Sequence, residues 1–177
     1  MANSKTEKMI ICGPSGSGKD FLQRQVVAMG LRHSPKVTTR PMREGERDGF
    51  DYRFVTDEQF AGLVERGEVK TKQTFSVDGR EWHYAITRPS FEEGQVFIMT
   101  PGEIAQLTPD ERKAAFVVYL AIDEGVRMSR VSRRQDHNDS VARRFLADRA
   151  DFEGFEDYDM KVTDPEFDPE LVMGLML

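Results

Sequence analysis

An α/β fold, with a central parallel sheet flanked by helices, is what this sequence predicts from three observations. A short apolar run, Met9, Ile10, Ile11 and Cys12, leads straight into Gly13-Pro14-Ser15-Gly16-Ser17-Gly18-Lys19 and then into a helical pattern. Two more continuous apolar runs, residues 96–99 and 116–122, have the composition of strands covered on both faces. Helix-forming stretches separate and follow them, and that alternation is what builds a parallel sheet.

The glycine-rich run meets the phosphate-loop pattern GxxxxGK[ST] at every position but the last, where Asp20 replaces the hydroxyl residue. Glycines let the backbone turn tightly and bring N–H groups against an anion, and the positive end of the next helix faces the same point. Gly13, Pro14, Ser15, Gly16, Ser17, Gly18, Lys19 and Asp20 are therefore the candidate ATP-binding residues of a P-loop NTPase fold. Lys19 is expected to reach the β- and γ-phosphates. Asp20, a hard carboxylate ligand, is the candidate for Mg2+, directly or through water.

Helix is expected over residues 21–29, extended chain around 36–39, and loop through the Arg-, Glu- and Gly-rich stretch that follows. Thr56 with Gln59 three positions on fits a capping box, and Gly67 closes that helix. Asp78-Gly79 is a turn pair between strand-like residues 69–77 and 81–87, which predicts a hairpin. The runs 96–99 and 116–122 are expected as central parallel strands, with a short helix over 102–107 between them and Pro109 beyond it. Asp123 caps a helix to about 131, Ser140 starts another to about 152, residues 160–162 give a last strand, and Asp168-Pro169 opens a terminal helix. Residues 34 to 90 break the alternation and read as an inserted lobe that holds a second substrate.

Length and composition bound the function. A chain of 177 residues fits one domain, and 38% hydrophobic with 32% charged residues is globular. The net charge of −6 argues against nucleic acid as a partner, although arginines gather over 40–53 and 127–149. No apolar run approaches the roughly 18 residues of a membrane span, and the polar residues 1–8 lack a secretory stretch, so a cytoplasmic protein with no membrane partner is expected. The single cysteine, Cys12, is expected to pack as a small apolar group. His33, His83 and His137 are too scattered for a metal site and are expected to be structural or exposed, with stacking on a base the alternative for His83 between Trp82 and Tyr84.

The segment from Thr38 through Arg40, Arg43, Glu46 and Tyr52 to Val55 resembles the signature of guanylate kinases, in which it forms most of the nucleoside monophosphate (NMP) site. Arg40 and Arg43 are rigid guanidinium forks suited to a dianionic phosphate, Tyr52 adds a hydroxyl donor, and Glu46 can hold an arginine in place. Arg130-Val131-Ser132-Arg133-Arg134 with Ser140-Val141-Ala142-Arg143-Arg144-Phe145 resembles the family's lid and the helix after it. By position Arg134 and Arg144 match best the arginines that close over the transferring phosphoryl group, with Arg130 and Arg143 close behind. The resemblance implies a single domain over residues 1–177, with a core of 1–33 and 91–177, an NMP-binding lobe of about 34–90 and a lid of about 130–145. It also implies an ATP-dependent nucleoside monophosphate kinase that uses ATP and Mg2+, acts on small nucleotides with GMP or dGMP the first acceptor to consider, and is a monomer or homodimer.

The same resemblance places Lys36, Thr71, Tyr84 and Ile86 in the acceptor site, and several of these depart from the family's pattern. Thr71 stands where the family carries an acid for the guanine edge, and Ile86 where it carries a small hydroxyl residue. The paired aspartates after the lobe are missing, Glu103 being the nearest acid, and Lys36 replaces a serine. Gly18-Lys19-Asp20 is similar to the loop of ribose 1,5-bisphosphate phosphokinases and of some viral deoxynucleotide kinases. A kinase for another or modified deoxynucleotide or for ribose 1,5-bisphosphate is therefore the alternative. A non-catalytic binding module of the same fold stands further off, because the loop keeps its lysine and glycines.

Overall fold

The computed structural model describes residues 7–77, 79–133 and 140–176. In chain order its elements are β1 (Lys8–Cys12), α1 (Lys19–Ala28), β2 (Val37–Thr38), β3 (Arg53–Phe54), α2 (Asp57–Glu65), β4 (Val69–Val77), β5 (Arg80–Thr87) and α3 (Arg88–Glu93). They continue with β6 (Val96–Ile98), α4 (Pro101–Ile104), α5 (Pro109–Lys113), β7 (Ala115–Leu120), α6 (Glu124–Ser132), α7 (Val141–Phe152), β8 (Met160–Val162) and α8 (Pro169–Met176). The chain divides into two compact units, Met1–Leu31 with Gln95–Leu177, and Arg32–Gly94.

The first unit is built on a parallel sheet in the order β6-β1-β7-β8. Met9 of β1 pairs with Val96 on one side and Phe116 on the other, so β1 has neighbours on both edges. Both of its faces are covered as well, and Met9, Ile10, Ile11 and Cys12 are fully buried. That double burial is why the strand carries no polar alternation, and each such side chain contributes about 1.5–3 kcal/mol relative to exposure. Leu22 and Val26 of α1 and Val172 and Met176 of α8 share one core with Met9, Ile11, Val118 and Leu120.

Two sequence expectations need correction here. The strand expected as central at 96–99 is an edge strand of this sheet, since an apolar run reports cover on both faces and says nothing of how many strands flank it. Pro109, expected only to lie beyond a helix, opens α5, with Thr108 as the N-cap and Glu111 completing a capping box. The helix α3 was likewise not expected, and it follows the same rule, with Thr87 accepting from Ser90 N–H and a proline in the first turn.

The second unit is a four-stranded sheet in the order β3-β2-β5-β4, with β4 and β5 an antiparallel hairpin. The turn residue Asp78 lies outside the described residues. The expected Thr56 capping box with Gln59 forms and starts α2. Phe60 and Leu63 of α2 then pack on Val37 and Ala85, giving this unit a core of its own. A register irregularity between Val69 and Thr71 shifts the alternation of β4, so Thr71, Gln73 and Phe75 pair with Ile86, Tyr84 and Trp82 on the face away from α2. Thr38 also pairs with Tyr84 and joins that face.

Candidate functional site

The phosphate loop leaves β1 and enters α1 through Gly18, whose left-handed backbone (φ 103°) makes the N-cap. Pro14 O accepts from Ser17 N–H at 3.2 Å and closes the turn. Lys19 arcs back over it, with Nζ donating to Gly13 O at 2.7 Å and Pro14 O at 3.0 Å. Gly16 is obligatory on two counts: its φ is +78°, and a Cβ there would stand 2.6 Å from the Arg127 carbonyl oxygen. Ser17 is buried and its Oγ has no hydrogen-bond partner. Asp20 is exposed in the first turn of α1. The eight residues expected together are contiguous, Gly13 to Gly18 forming the loop and Lys19 and Asp20 opening α1.

Two helices grip this loop from outside, through Arg130 of the segment matched to the lid and through Arg127 and Asp148, which sequence reasoning did not single out. Arg127 of α6 is 6% exposed, with Nε donating to Ile122 O at 2.9 Å and Nη1 to Ser15 O at 3.2 Å. Asp148 of α7 accepts from Ser15 N–H through Oδ2 at 2.8 Å. Arg130 donates to Gly16 O at 3.3 Å and Ser17 O at 3.5 Å, while its other nitrogen reaches Pro165 O at 3.0 Å. Arg144 lies half-buried on α7. Arg134, the other expected lid arginine, lies outside the described residues, as does His137. Nothing local marks Arg127 or Asp148, because each contact spans more than a hundred positions of sequence.

In the second unit several of the expected acceptor residues gather around a buried arginine. Arg40 is 2% exposed. Its Nη2 stands 2.6 Å from Glu46 Oε1, its Nη1 donates to Pro41 O at 2.7 Å, and its N–H donates to Thr38 Oγ1 at 3.1 Å. The other Glu46 oxygen accepts from Arg43 N–H at 2.7 Å. The Arg40 guanidinium lies 5.3 Å from the Tyr52 ring centre and 5.7 Å from that of Phe54, and Tyr52 packs edge-on to Tyr84 at 5.9 Å. Lys36 precedes β2, and its carbonyl accepts from Arg53 N–H at 2.8 Å.

The charges in this cradle are fixed by their neighbours. Burial alone would raise the Glu46 carboxyl, but the hydrogen bonds from Arg40 and Arg43 N–H and the charges of both arginines hold it below the usual carboxylate range. Burial works against the Arg40 cation too, and Glu46, Tyr84 and Tyr52 outweigh it, raising Arg40 above the ordinary guanidinium range. Burial pushes the Tyr84 phenol up despite the two arginines, so it remains a neutral hydroxyl beside Arg40 and Thr38.

Thr71 and Ile86, opposite each other across the hairpin, are fully buried at 0% and 1% exposure. Next to them Gln73, a residue missed in the sequence, faces Tyr84, and its buried Oε1 has no hydrogen-bond partner. Two further residues noted in the sequence have structural roles. His83 stacks on Phe60 of α2 at 5.0 Å, because strand alternation turns it to the face opposite Tyr84. Glu103, the nearest acid after the lobe, is fully buried and closes the α4 capping box, accepting from Thr100 N–H through Oε2 at 3.0 Å.

The chain is similar to known proteins over most of its length. The family model described as guanylate kinase matches residues 5–172. A guanylate kinase of Ruegeria pomeroyi is 32% identical over 160 residues, covering 85% of this chain and 75% of that protein. A guanylate kinase of Syntrophotalea carbinolica is 52% identical over 60 residues, 33% of this chain and 29% of that protein, so this second match spans under a third of the relative. The crystal structure of guanylate kinase from Anaplasma phagocytophilum superimposes with a TM-score of 0.69 at 19% identity, covering 98% of this chain and 86% of that one, and shares the fold. With a family model matching nearly its whole length, the chain belongs to the guanylate kinase family, whose members are nucleoside monophosphate kinases.

Proposed function

We propose that the chain transfers the γ-phosphoryl group of ATP to a nucleoside monophosphate, with GMP or dGMP the first acceptor. The observation that carries this reading is the buried Arg40–Glu46 pair with Arg43, Tyr52 and Tyr84, in a chain that also holds a phosphate loop with its glycines and Lys19 in place. A buried guanidinium is costly unless paired. Glu46 takes one edge of Arg40 and leaves positive charge on the cradle for a dianionic phosphate. The acceptor phosphate is held by Arg40, Arg43 and the Tyr52 hydroxyl, with Lys36 at its margin and the base against Thr71, Tyr84 and Ile86.

ATP lies on residues 13–20, and Lys19 exchanges the Gly13 and Pro14 carbonyls for phosphate oxygens. An acceptor phosphate oxygen attacks the γ-phosphorus in line. One P–O bond forms, the bond to the β-phosphate oxygen breaks, and ADP leaves with the electron pair. Arg144 and Arg134 neutralise charge on the transferring oxygens, the main catalytic help such a reaction needs.

Among the described residues no group of three or more His, Cys, Asp or Glu is poised to hold a metal. A single exposed carboxylate, Asp20, fits an ion that is held mainly by phosphate oxygens and water. When bound, Mg2+ supplies neutralisation of β- and γ-phosphate charge.

The departures of Thr71 and Ile86 from the family's pattern keep a second reading, in which a base other than guanine is the better acceptor. Coupled ADP release with GMP, dGMP, the other common monophosphates and ribose 1,5-bisphosphate separates these readings. Turnover with one or more nucleoside monophosphates is expected. ADP release no faster with any acceptor than in water alone would overturn the kinase assignment.

A further inference from the structure

We infer that Arg127 and Asp148 are positioning residues for the phosphate donor, setting the two peptide planes that flank Ser15 so that the loop is ready for a triphosphate. This inference rests on the ATP reading above. In a trans peptide the C=O and the following N–H point in opposite directions. Asp148 draws Ser15 N–H outward, so the Pro14 carbonyl of the same peptide points the other way, where it accepts from Ser17 N–H and Lys19 Nζ. Arg127 draws Ser15 O outward, so the Gly16 N–H of that next peptide points away from Arg127. Each grip fixes one peptide plane.

The grips are themselves braced. Arg127 Nη1 stands 3.8 Å from Asp148 Oδ2, its Nη2 3.7 Å from Glu124 Oε2, and its guanidinium 4.9 Å from the Phe145 ring centre. Asp148 is only 16% exposed. A carboxylate this near a polyphosphate site opposes anion binding by simple charge. Its presence is explained by the loop shape it holds, and this gives the test a sign.

The experiment is calorimetric titration with ATP and Mg2+, together with acceptor kinetics. If charge alone matters, Asp148→Ala binds ATP more tightly. The clamp requires the reverse: at least fivefold weaker ATP binding, with the acceptor KM unchanged within twofold. Asp148→Asn, which keeps an oxygen acceptor but no charge, recovers most of the loss. Arg127→Met also weakens binding, and the double variant is no worse than the weaker single one, as expected of residues acting as a unit.

Equal or tighter binding by Asp148→Ala overturns the proposal. A second measurement needs no variant: in the nucleotide-free wild type the Ser15 amide proton resonates downfield and exchanges slowly with solvent. Exchange at the rate of an open loop amide overturns the clamp even if the alanine variant fails to fold. Absence of ATP binding by the wild type would instead sink the kinase reading, leaving the Ser15 amide to decide the clamp.

Discussion

Glu46 grips Arg40 and the backbone of Arg43 with a single carboxylate, Oε1 standing 2.6 Å from Arg40 Nη2 and Oε2 2.7 Å from Arg43 N. One side chain thereby sets both the orientation of a buried guanidinium and the path of the loop that carries the next arginine. Hydrogen bonds to charged groups are worth roughly 1.5–3 kcal/mol. Glu46→Ala is therefore expected to lower kcat/KM for the acceptor roughly 10- to 100-fold while the KM for ATP stays put. Steady-state kinetics with each substrate varied in turn checks this, and equal damage to both KM values would count against an acceptor-side role.

The same pair makes part of the protein's stability depend on pH. Glu46 titrates below its ordinary value of 4.5 in the folded chain, because Arg40 and Arg43 outweigh its burial. A depressed carboxyl favours folding above the unfolded value, and that contribution disappears as pH falls through the folded one. The stability gap between wild type and Glu46→Gln is thus expected to be constant near neutrality and to shrink below about pH 4.5. Urea unfolding of both proteins between about pH 7 and pH 3 checks the sign, and a gap that widens in acid refutes it.

Lys19→Ala should abolish phosphoryl transfer without unfolding the chain, since Nζ donates to loop carbonyls and Lys19 lies outside the apolar core. Losing one preorganised charge at a transferring group costs on the order of 10²–10³ in rate. Arg43→Ala should do the same from the acceptor side. Coupled ADP release alongside thermal unfolding tests both, and near-normal turnover in either variant contradicts the mechanism.

Much of this was legible because it is local. The strand, loop and helix over residues 9–28 follow from contiguous residues, and Thr56, Asp123 and Ser140 each announce a helix through a cap that forms. Pro109, expected only to lie beyond a helix, and Pro89 each sit in a first turn behind a threonine cap, where proline is tolerated. What stayed hidden depends on register or on distant contact. The orientation of His83 follows from its place in the β5 alternation, and the grip of Asp148 on Ser15 joins residues 133 positions apart. A neighbour list, and no pattern of residue types, is what reveals such pairs.

Gln73 gives the clearest trade between stability and function. Its Oε1 is buried opposite Tyr84 without a hydrogen-bond donor, and an unsatisfied buried acceptor costs roughly 1–3 kcal/mol. If that oxygen awaits an N–H of the acceptor base, Gln73→Leu removes the cost in the empty protein and the partner in the complex. The variant is expected to unfold at a higher temperature, by about 2–4 °C per kcal/mol for a chain of this size. It should at the same time lose roughly tenfold or more in kcat/KM for its preferred acceptor, with ATP affinity unaltered. Discrimination among acceptor bases should narrow, because a leucine surface no longer distinguishes donor from acceptor edges. Calorimetric unfolding and the acceptor panel read the two signs separately, and a variant both less stable and equally selective would show that Gln73 serves only the packing of its own sheet.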